Sequence, residues 1–162
     1  MTAQQIAQVL LEDIYKLSST QINLPPDLSN FVQEWGKLNI PDEDLYIDPE
    51  DGGMGREDEI HVTLLFGLKT PAPTPVLRKI IESTPQFQIE LGAVSLFESE
   101  DYDVVKLDVV SPELHALNAR IARAVPNEQT FPKYRPHITI AYTKPGSCHH
   151  LVGQDPTTGF LQ

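Results

Sequence analysis

Cysteine is almost absent from this sequence: Cys148 is the only one among 162 residues. A lone cysteine cannot form a disulfide within the chain, which favours a reducing compartment. The sequence also has no apolar run long enough to span a membrane, and residues 1–5 lack the basic and apolar regions of a signal peptide. We therefore expect a cytoplasmic protein that does not contact membranes.

Basic residues are also scarce. Lysine and arginine number 12 against 23 aspartates and glutamates, for a net charge of −11, which argues against binding long DNA or RNA. The imbalance lies in residues 1–60, which carry 13 acids and 3 bases, whereas residues 61–162 carry 10 acids and 9 bases. Residues 131–144 contain three bases and no acid. Such a local positive region suits a small anionic ligand better than a polymer.

The length fits a single domain over residues 1–162. Apolar residues at helical spacing predict a helical N-terminal segment over residues 1–40, with helices at 3–17 and 28–37. Residues 48–59 are rich in glycine and acidic side chains and predict a mobile loop. This loop places Gly52 and Arg56 where a calcium loop needs oxygen ligands, so we reject calcium binding there.

From residue 61 the pattern becomes regular. Strands are predicted at 61–68, 87–97, 104–110 and 136–142, and helices at 74–83 and from Pro112 onward. The second helix begins at Ser111-Pro112-Glu113, a capping residue followed by proline at the first helical position. The order strand–helix–strand therefore occurs twice. An approximate two-fold relation between the two units would bring the first and last strands side by side.

Those two strands carry nearly the same string, HVTLLF at residues 61–66 and HITIAY at residues 137–142. Residues two apart on a strand share a face, so His61 projects with Thr63, and His137 projects with Thr139. The alternate apolar residues, Val62, Leu64 and Phe66 on the first strand, point the opposite way, towards a core. If the strands meet, one cleft holds two imidazoles and two hydroxyls.

Two histidines that flank a phosphodiester can divide the proton transfers between them, because imidazole is both acid and base near neutral pH. One accepts a proton from an attacking hydroxyl and the other donates a proton to the leaving alkoxide, and either histidine can take either role. Thr63 and Thr139 can hydrogen-bond the non-bridging oxygens. An attacking ribose 2′-hydroxyl makes the reaction intramolecular. This chemistry requires no metal or other cofactor.

Two further residues precede the second motif. Tyr134 could stack on a base and Arg135 could pair with a phosphate, although packing and solvent exposure are equally good interpretations. Cys148-His149-His150 resembles part of a metal site, but the sequence offers no second ligand cluster, so we interpret it as a polar loop.

The paired motifs resemble the signature of the 2H phosphoesterase superfamily over residues 61–145. The resemblance implies an α+β, bilobal fold in which two antiparallel sheets form a central cleft, with helices packed outside. It also implies metal-independent phosphodiester chemistry, with His61 and His137 catalytic and Thr63 and Thr139 binding phosphate.

Longer stretches, at residues 61–68, 97–107 and 134–142, resemble the phage anti-CBASS nucleases. These enzymes degrade the cyclic oligonucleotide messengers of bacterial antiviral defence, which implies a small cyclic oligonucleotide substrate and a place in the host-cell cytoplasm. Members usually continue into another strand where this sequence ends, at residues 159–162. Two alternatives stay open: an enzyme acting on 2′,3′-cyclic phosphates or 2′,5′-linked RNA ends, and a nucleotide-binding sponge without turnover. The oligomeric state is not predicted.

Overall fold

The computed structural model describes residues 6–10, 18–68, 74–125, 127 and 133–158. Within these residues the chain forms six strands and three α-helices. In chain order they are β1 (Ile6–Leu10), β2 (Ser18–Asn23), α1 (Pro26–Asn39), β3 (His61–Leu68), α2 (Thr74–Glu82), β4 (Glu90–Glu98), β5 (Asp103–Val110), α3 (Pro112–Ala124) and β6 (His137–Thr143). The predicted α+β class and the repeated order of strand, helix and strand after residue 60 are confirmed.

The chain divides into two compact units. The first contains residues 1–24, 61–90 and 110–136, and the second contains residues 25–60, 91–109 and 137–162. Strand β3 with the first histidine motif belongs to the first unit, and β6 with the second motif belongs to the second unit. The arrangement of two sheets around a central cleft stays a prediction.

In the first unit, β2 pairs antiparallel with β1 on one side and with β3 on the other. Helix α3 packs on β3, and α2 packs on α3. The side chains of Val62 and Leu64 on β3 are fully buried. Asn118 of α3 donates a hydrogen bond from Nδ2 to the Leu64 carbonyl at 2.6 Å, which fixes the helix against this strand.

Helix α3 begins where its capping signal predicts. The Ser111 hydroxyl accepts a hydrogen bond from the Leu114 amide at 3.2 Å, and Pro112 occupies the first turn. Its buried side chains include Leu114, Leu117 and Ile121. Helix α2 also forms as predicted, with Leu77 and Ile80 buried and Val76 43 % exposed.

In the second unit, β5 lies between β6 and β4. The β5–β6 pairing is antiparallel, with Asp108 opposite His137 and Lys106 opposite Thr139. Helix α1 packs on β6. The outer edge of β4 is covered by the C-terminal segment, because Val94 exchanges backbone hydrogen bonds with Gly153 and Gln154 at 2.9 and 2.8 Å.

The helix predicted over residues 3–17 is wrong where the structure describes it, since residues 6–10 form strand β1. The helical character predicted for the whole of residues 1–40 is likewise wrong at residues 18–23, which form β2. The physical reason is that β2 pairs with β3 along its length and leaves its other edge open, and backbone pairing with β1 satisfies that edge. The second predicted helix is confirmed as α1 and is longer than expected at both ends.

Part of the acidic segment at residues 48–59 is held by hydrogen bonds. The Tyr142 amide donates to the Gly55 carbonyl at 2.7 Å, and the Glu57 amide donates to the Ile140 carbonyl at 2.9 Å. Arg56 donates to the Gly36 and Ile40 carbonyls at the end of α1, at 3.0 and 2.6 Å. The mobility of this loop stays a prediction.

Helix α1 approaches β6 closely at Gly36, where an added Cβ would lie 2.9 Å from Ile140 Cγ2. We predict that Gly36→Ala destabilises the protein by about 1–3 kcal/mol, because the overlap outweighs the roughly 1 kcal/mol by which alanine favours a helix. Urea unfolding measures the change. Asn30→Ala, on the exposed side of the same helix, is the matched control and is expected to be neutral or slightly stabilising. A Gly36→Ala variant as stable as the natural protein would contradict the close contact.

None of the helices among the described residues is long and apolar enough to cross a membrane.

Candidate active site

Strand β3 carries the first motif at its start. His61 and Thr63 are half-buried, whereas Val62 and Leu64 between and beyond them are fully buried. This alternation confirms that the histidine and the threonine share one face of the strand and that the opposite face enters the core. The side chain of Phe66, predicted for the core, lies outside the described part of the chain.

The Tyr134 side chain contacts the backbone of the first motif. Its hydroxyl donates a hydrogen bond to the Thr63 carbonyl at 2.8 Å, and its ring meets the His115 ring edge-on at 5.3 Å. Burial raises the pKa of Tyr134, so the hydroxyl stays protonated and keeps this bond over the physiological range. Tyr134 therefore supports the strand that carries Thr63. Its predicted stacking on a base and the phosphate contact of the exposed Arg135 remain proposals.

Strand β6 carries the second motif in the same way. His137 and Thr139 are half-buried, and Ile138 and Ile140 are buried in the core. The ring of Phe97, on β4, meets the His137 ring edge-on with 5.0 Å between the centroids. The second motif thus reproduces the facing of the first and adds an aromatic contact at its histidine.

A polar cluster that we define as Ser95, Lys106 and Asp108 lies beside the second motif. The Lys106 ammonium donates to Asp108 Oδ1 at 2.7 Å and to Ser95 Oγ at 2.5 Å. Ser95 in turn donates to Asp108 Oδ1 at 2.8 Å. The ammonium also lies 4.3 Å from the centroid of the Phe97 ring, in a cation–π contact. The cluster is closed, since each member contacts the other two.

The Asp108 carboxylate is stabilised in its charged form. Partial burial alone would raise its pKa, but hydrogen bonds from Lys106 and Ser95 and the positive charges of Lys106 and His137 more than offset this. The net effect lowers the pKa of Asp108 below its usual value. A carboxylate therefore persists next to His137 throughout the neutral range.

Reasoning from the sequence missed this cluster. The signal that could have indicated it is the spacing of Lys106 and Asp108, which are two residues apart on a predicted strand, like the histidine and threonine of each motif. Two ionisable side chains on the same face of a mostly apolar strand are unusual unless they have a function or form an ion pair. Its position opposite the motif becomes visible only from the register of β5 with β6.

The side chains of Cys148 and His149 contact other side chains of the protein. Cys148 is buried, and burial raises the pKa of its thiol, so the thiol stays neutral. His149 lies 3.1 Å from Glu98 and 3.7 Å from Asp103. Across the part of the chain that the structure describes, no group of three or more histidine, cysteine or acidic side chains could hold a metal ion.

Comparison with protein families gives a match over most of the chain. A family profile described as the 2′-5′ RNA ligase superfamily matches residues 24–151, a span that contains both histidine motifs and the Ser95–Lys106–Asp108 cluster. The chain belongs to this superfamily, the one that also goes by the name 2H phosphoesterases. A search of curated proteins found no match. Membership indicates an enzyme that acts on phosphodiester bonds.

Proposed function

We propose that this protein is a phosphodiesterase that opens cyclic oligonucleotide second messengers without a metal, and so counters CBASS antiviral signalling in the host-cell cytoplasm. The observation that carries the proposal is the repeated half-buried pair, His61 with Thr63 and His137 with Thr139, at the first and third positions of two strands. Membership of the superfamily supports the reaction type. The narrower resemblance to anti-CBASS nucleases and the near-neutral charge of residues 61–162 support a small anionic substrate.

The proposed reaction begins at a ribose 2′-hydroxyl beside the scissile phosphate. One histidine takes the proton of this hydroxyl as its oxygen bonds to phosphorus, and the other gives a proton to the 5′-oxygen as the P–O bond breaks. Thr63 and Thr139 hydrogen-bond the non-bridging oxygens, where charge develops. The ring opens to a linear product with a 2′,3′-cyclic phosphate. Water can then hydrolyse that ester with the proton transfers reversed, which restores both histidines.

A second candidate function stays within the same chemistry. The superfamily description names 2′-5′ RNA ligases, so a substrate with 2′,5′-linked RNA ends or a terminal cyclic phosphate is a specific alternative. The acidic charge of the chain disfavours long RNA but allows a short terminus. A binding protein that sequesters the nucleotide without turnover is the remaining alternative.

We predict that the protein cleaves at least one ribose-containing cyclic di- or trinucleotide in the presence of excess EDTA. Liquid chromatography with mass spectrometry of a panel of 3′,5′- and 2′,5′-linked rings, 2′,3′-cyclic nucleotides and short 2′,5′-linked RNA identifies the substrate by its product. Cleavage of the RNA ends alone would favour the second candidate. Tight binding of a ring that stays intact would favour sequestration, and sensitivity to EDTA would overturn the metal-independent reaction.

A further inference from the structure

Two residues of the second motif and two residues of the polar cluster form two cross-strand pairs on β5 and β6. Asp108 lies directly across from His137, and Lys106 lies directly across from Thr139. Side chains of directly opposed residues in an antiparallel pair project to the same face and lie close together. The imidazole of His137 therefore has a carboxylate as its cross-strand neighbour.

Burial of the Lys106 side chain lowers the free energy of unfolding unless its charge is compensated. Its residue is only 5 % exposed, and a buried ammonium loses its hydration unless partners replace it. An apolar side chain at this place would continue the buried pattern of Val105 and Leu107 with no such penalty. The buried charge therefore points to a role that an apolar residue cannot fill.

That role is to fix the Asp108 carboxylate. Both hydrogen bonds described for this carboxylate, from Lys106 and Ser95, reach the same oxygen, Oδ1. The backbone of β4 comes close at Gly92, where a Cβ would lie 3.2 Å from the Asp108 carbonyl. One oxygen is thus held by fixed donors, while the side chain as a whole stays 54 % exposed on the motif's face of the sheet.

The elements next to β6 place charged and uncharged groups near His137. Strand β5 contributes the charged Asp108 and Lys106, and β4 contributes the uncharged Ser95 and Phe97. Beyond the other edge of β6, Glu57 pairs through its amide with Ile140, and Glu59 follows two residues later. Arg135 precedes His137 in sequence by two residues. Asp108 is the carboxylate placed by strand register directly opposite the imidazole.

We propose that Asp108, fixed by Lys106 and Ser95, is a positioning residue that keeps the His137 imidazole oriented and protonated, so that His137 serves as the general acid. The assignment of His137 as the general acid rests on the proposed function, whereas the protonation of His137 can be measured without any substrate. Ser95 acts on His137 only through Asp108, whereas Lys106 also opposes the protonation of His137 directly through its own positive charge. This breaks the symmetry that the two equivalent motifs leave open in the sequence.

We predict that Asp108→Asn lowers the proton affinity of His137 roughly three- to tenfold, because a neutral amide no longer stabilises the imidazolium. The estimate is at the low end for a charge pair because Asp108 is more than a third exposed. An NMR titration of the histidine Cε1–H signals measures it, with the His137 signal assigned by its loss in His137→Ala. Glu100→Gln removes an equal charge from the exposed β4–β5 turn and is the matched control.

Lys106→Met supplies a test of opposite sign. This substitution removes a positive charge and keeps a side chain of similar length. The titration midpoint of His137 is therefore expected to move to higher pH, whereas Asp108→Asn moves the midpoint to lower pH. Asp108→Glu should restore the natural value. A purely structural role would shift both variants in the same direction, and unchanged titration of His137 in both would overturn the proposal.

The activity assay separates this inference from the proposed function. If the phosphodiesterase proposal holds, the alkaline limb of kcat against pH moves to lower pH in Asp108→Asn, with KM little changed. A shifted His137 titration in a protein that cleaves no phosphodiester would leave the positioning role standing and overturn the function. Normal cleavage with an unshifted His137 titration would overturn the positioning role and leave the proposed function standing.

Discussion

Alanine at either His61 or His137 is expected to reduce cleavage of the cyclic substrate by a factor of about 10² to 10⁴, the usual contribution of a general acid or base. Both residues are half-buried at the starts of their strands, so their side chains carry little of the core packing. The loss should therefore appear in kcat, with the unfolding temperature nearly unchanged. Rates measured under single-turnover conditions, together with thermal unfolding, test both parts.

The double variant gives the sharper result. Since the proposed reaction uses both histidines in one step, removing the second after the first is expected to add far less than the first loss. His150→Ala is the control, because His150 is exposed on a turn outside both motifs and should leave the rate unchanged. Full activity in either single variant would remove that histidine from the proposed chemistry. Loss of ligand affinity rather than kcat would instead favour a sequestering protein.

Much of the fold after residue 60 can be predicted because local signals there agree. The alternation of polar and buried residues in β3 and β6 is clear, and Ser111 with Pro112 marks the start of α3. Each of these signals lies within a few residues of the structure it determines. The facing of the two His-x-Thr pairs follows directly from strand geometry.

The N-terminal region could not be predicted because its structure depends on distant pairing. Ile6, Val9 and Leu10 have a spacing that fits a helix, yet residues 6–10 form a strand beside β2. Strand β2 itself pairs with β3, whose residues lie about 40 to 50 positions further along the sequence. A helical period over so short a stretch is a weak signal, and an unsatisfied strand edge outweighs it.

The polar cluster was missed for a related reason. Lys106 and Asp108 lie about thirty residues before the second motif, and only the register of β5 with β6 sets them opposite Thr139 and His137. A bulge between Val105 and Lys106 shifts that register, so counting residues along the strands would not have located the pairs. Sequence reasoning therefore identified the residues that repeat but not the neighbours that distinguish one repeat from the other.

Removing the ribose 2′-hydroxyl is expected to reduce cleavage by at least about 10³-fold, since a positioned intramolecular nucleophile is worth effective molarities of roughly 10⁵–10⁸ M. The test uses a 3′,5′-linked cyclic dinucleotide in which one sugar is ribose and the other is 2′-deoxyribose. Both linkages then belong to one molecule, with the same charge and ring. Mass spectrometry of the first product shows which phosphate is cut.

Cleavage at the ribose side alone, with a 2′,3′-cyclic phosphate as the first product, is the expected result. The deoxyribose linkage serves as the internal control for binding, because the ring can enter the site in either orientation. Equal cutting at both phosphates would mean that water is the nucleophile. One histidine would then activate that water, and Thr63 and Thr139 would keep their place at the non-bridging oxygens. The ribose dependence of the reaction is thus the measurement that separates ring opening by the substrate's own hydroxyl from direct hydrolysis at the same pair of motifs.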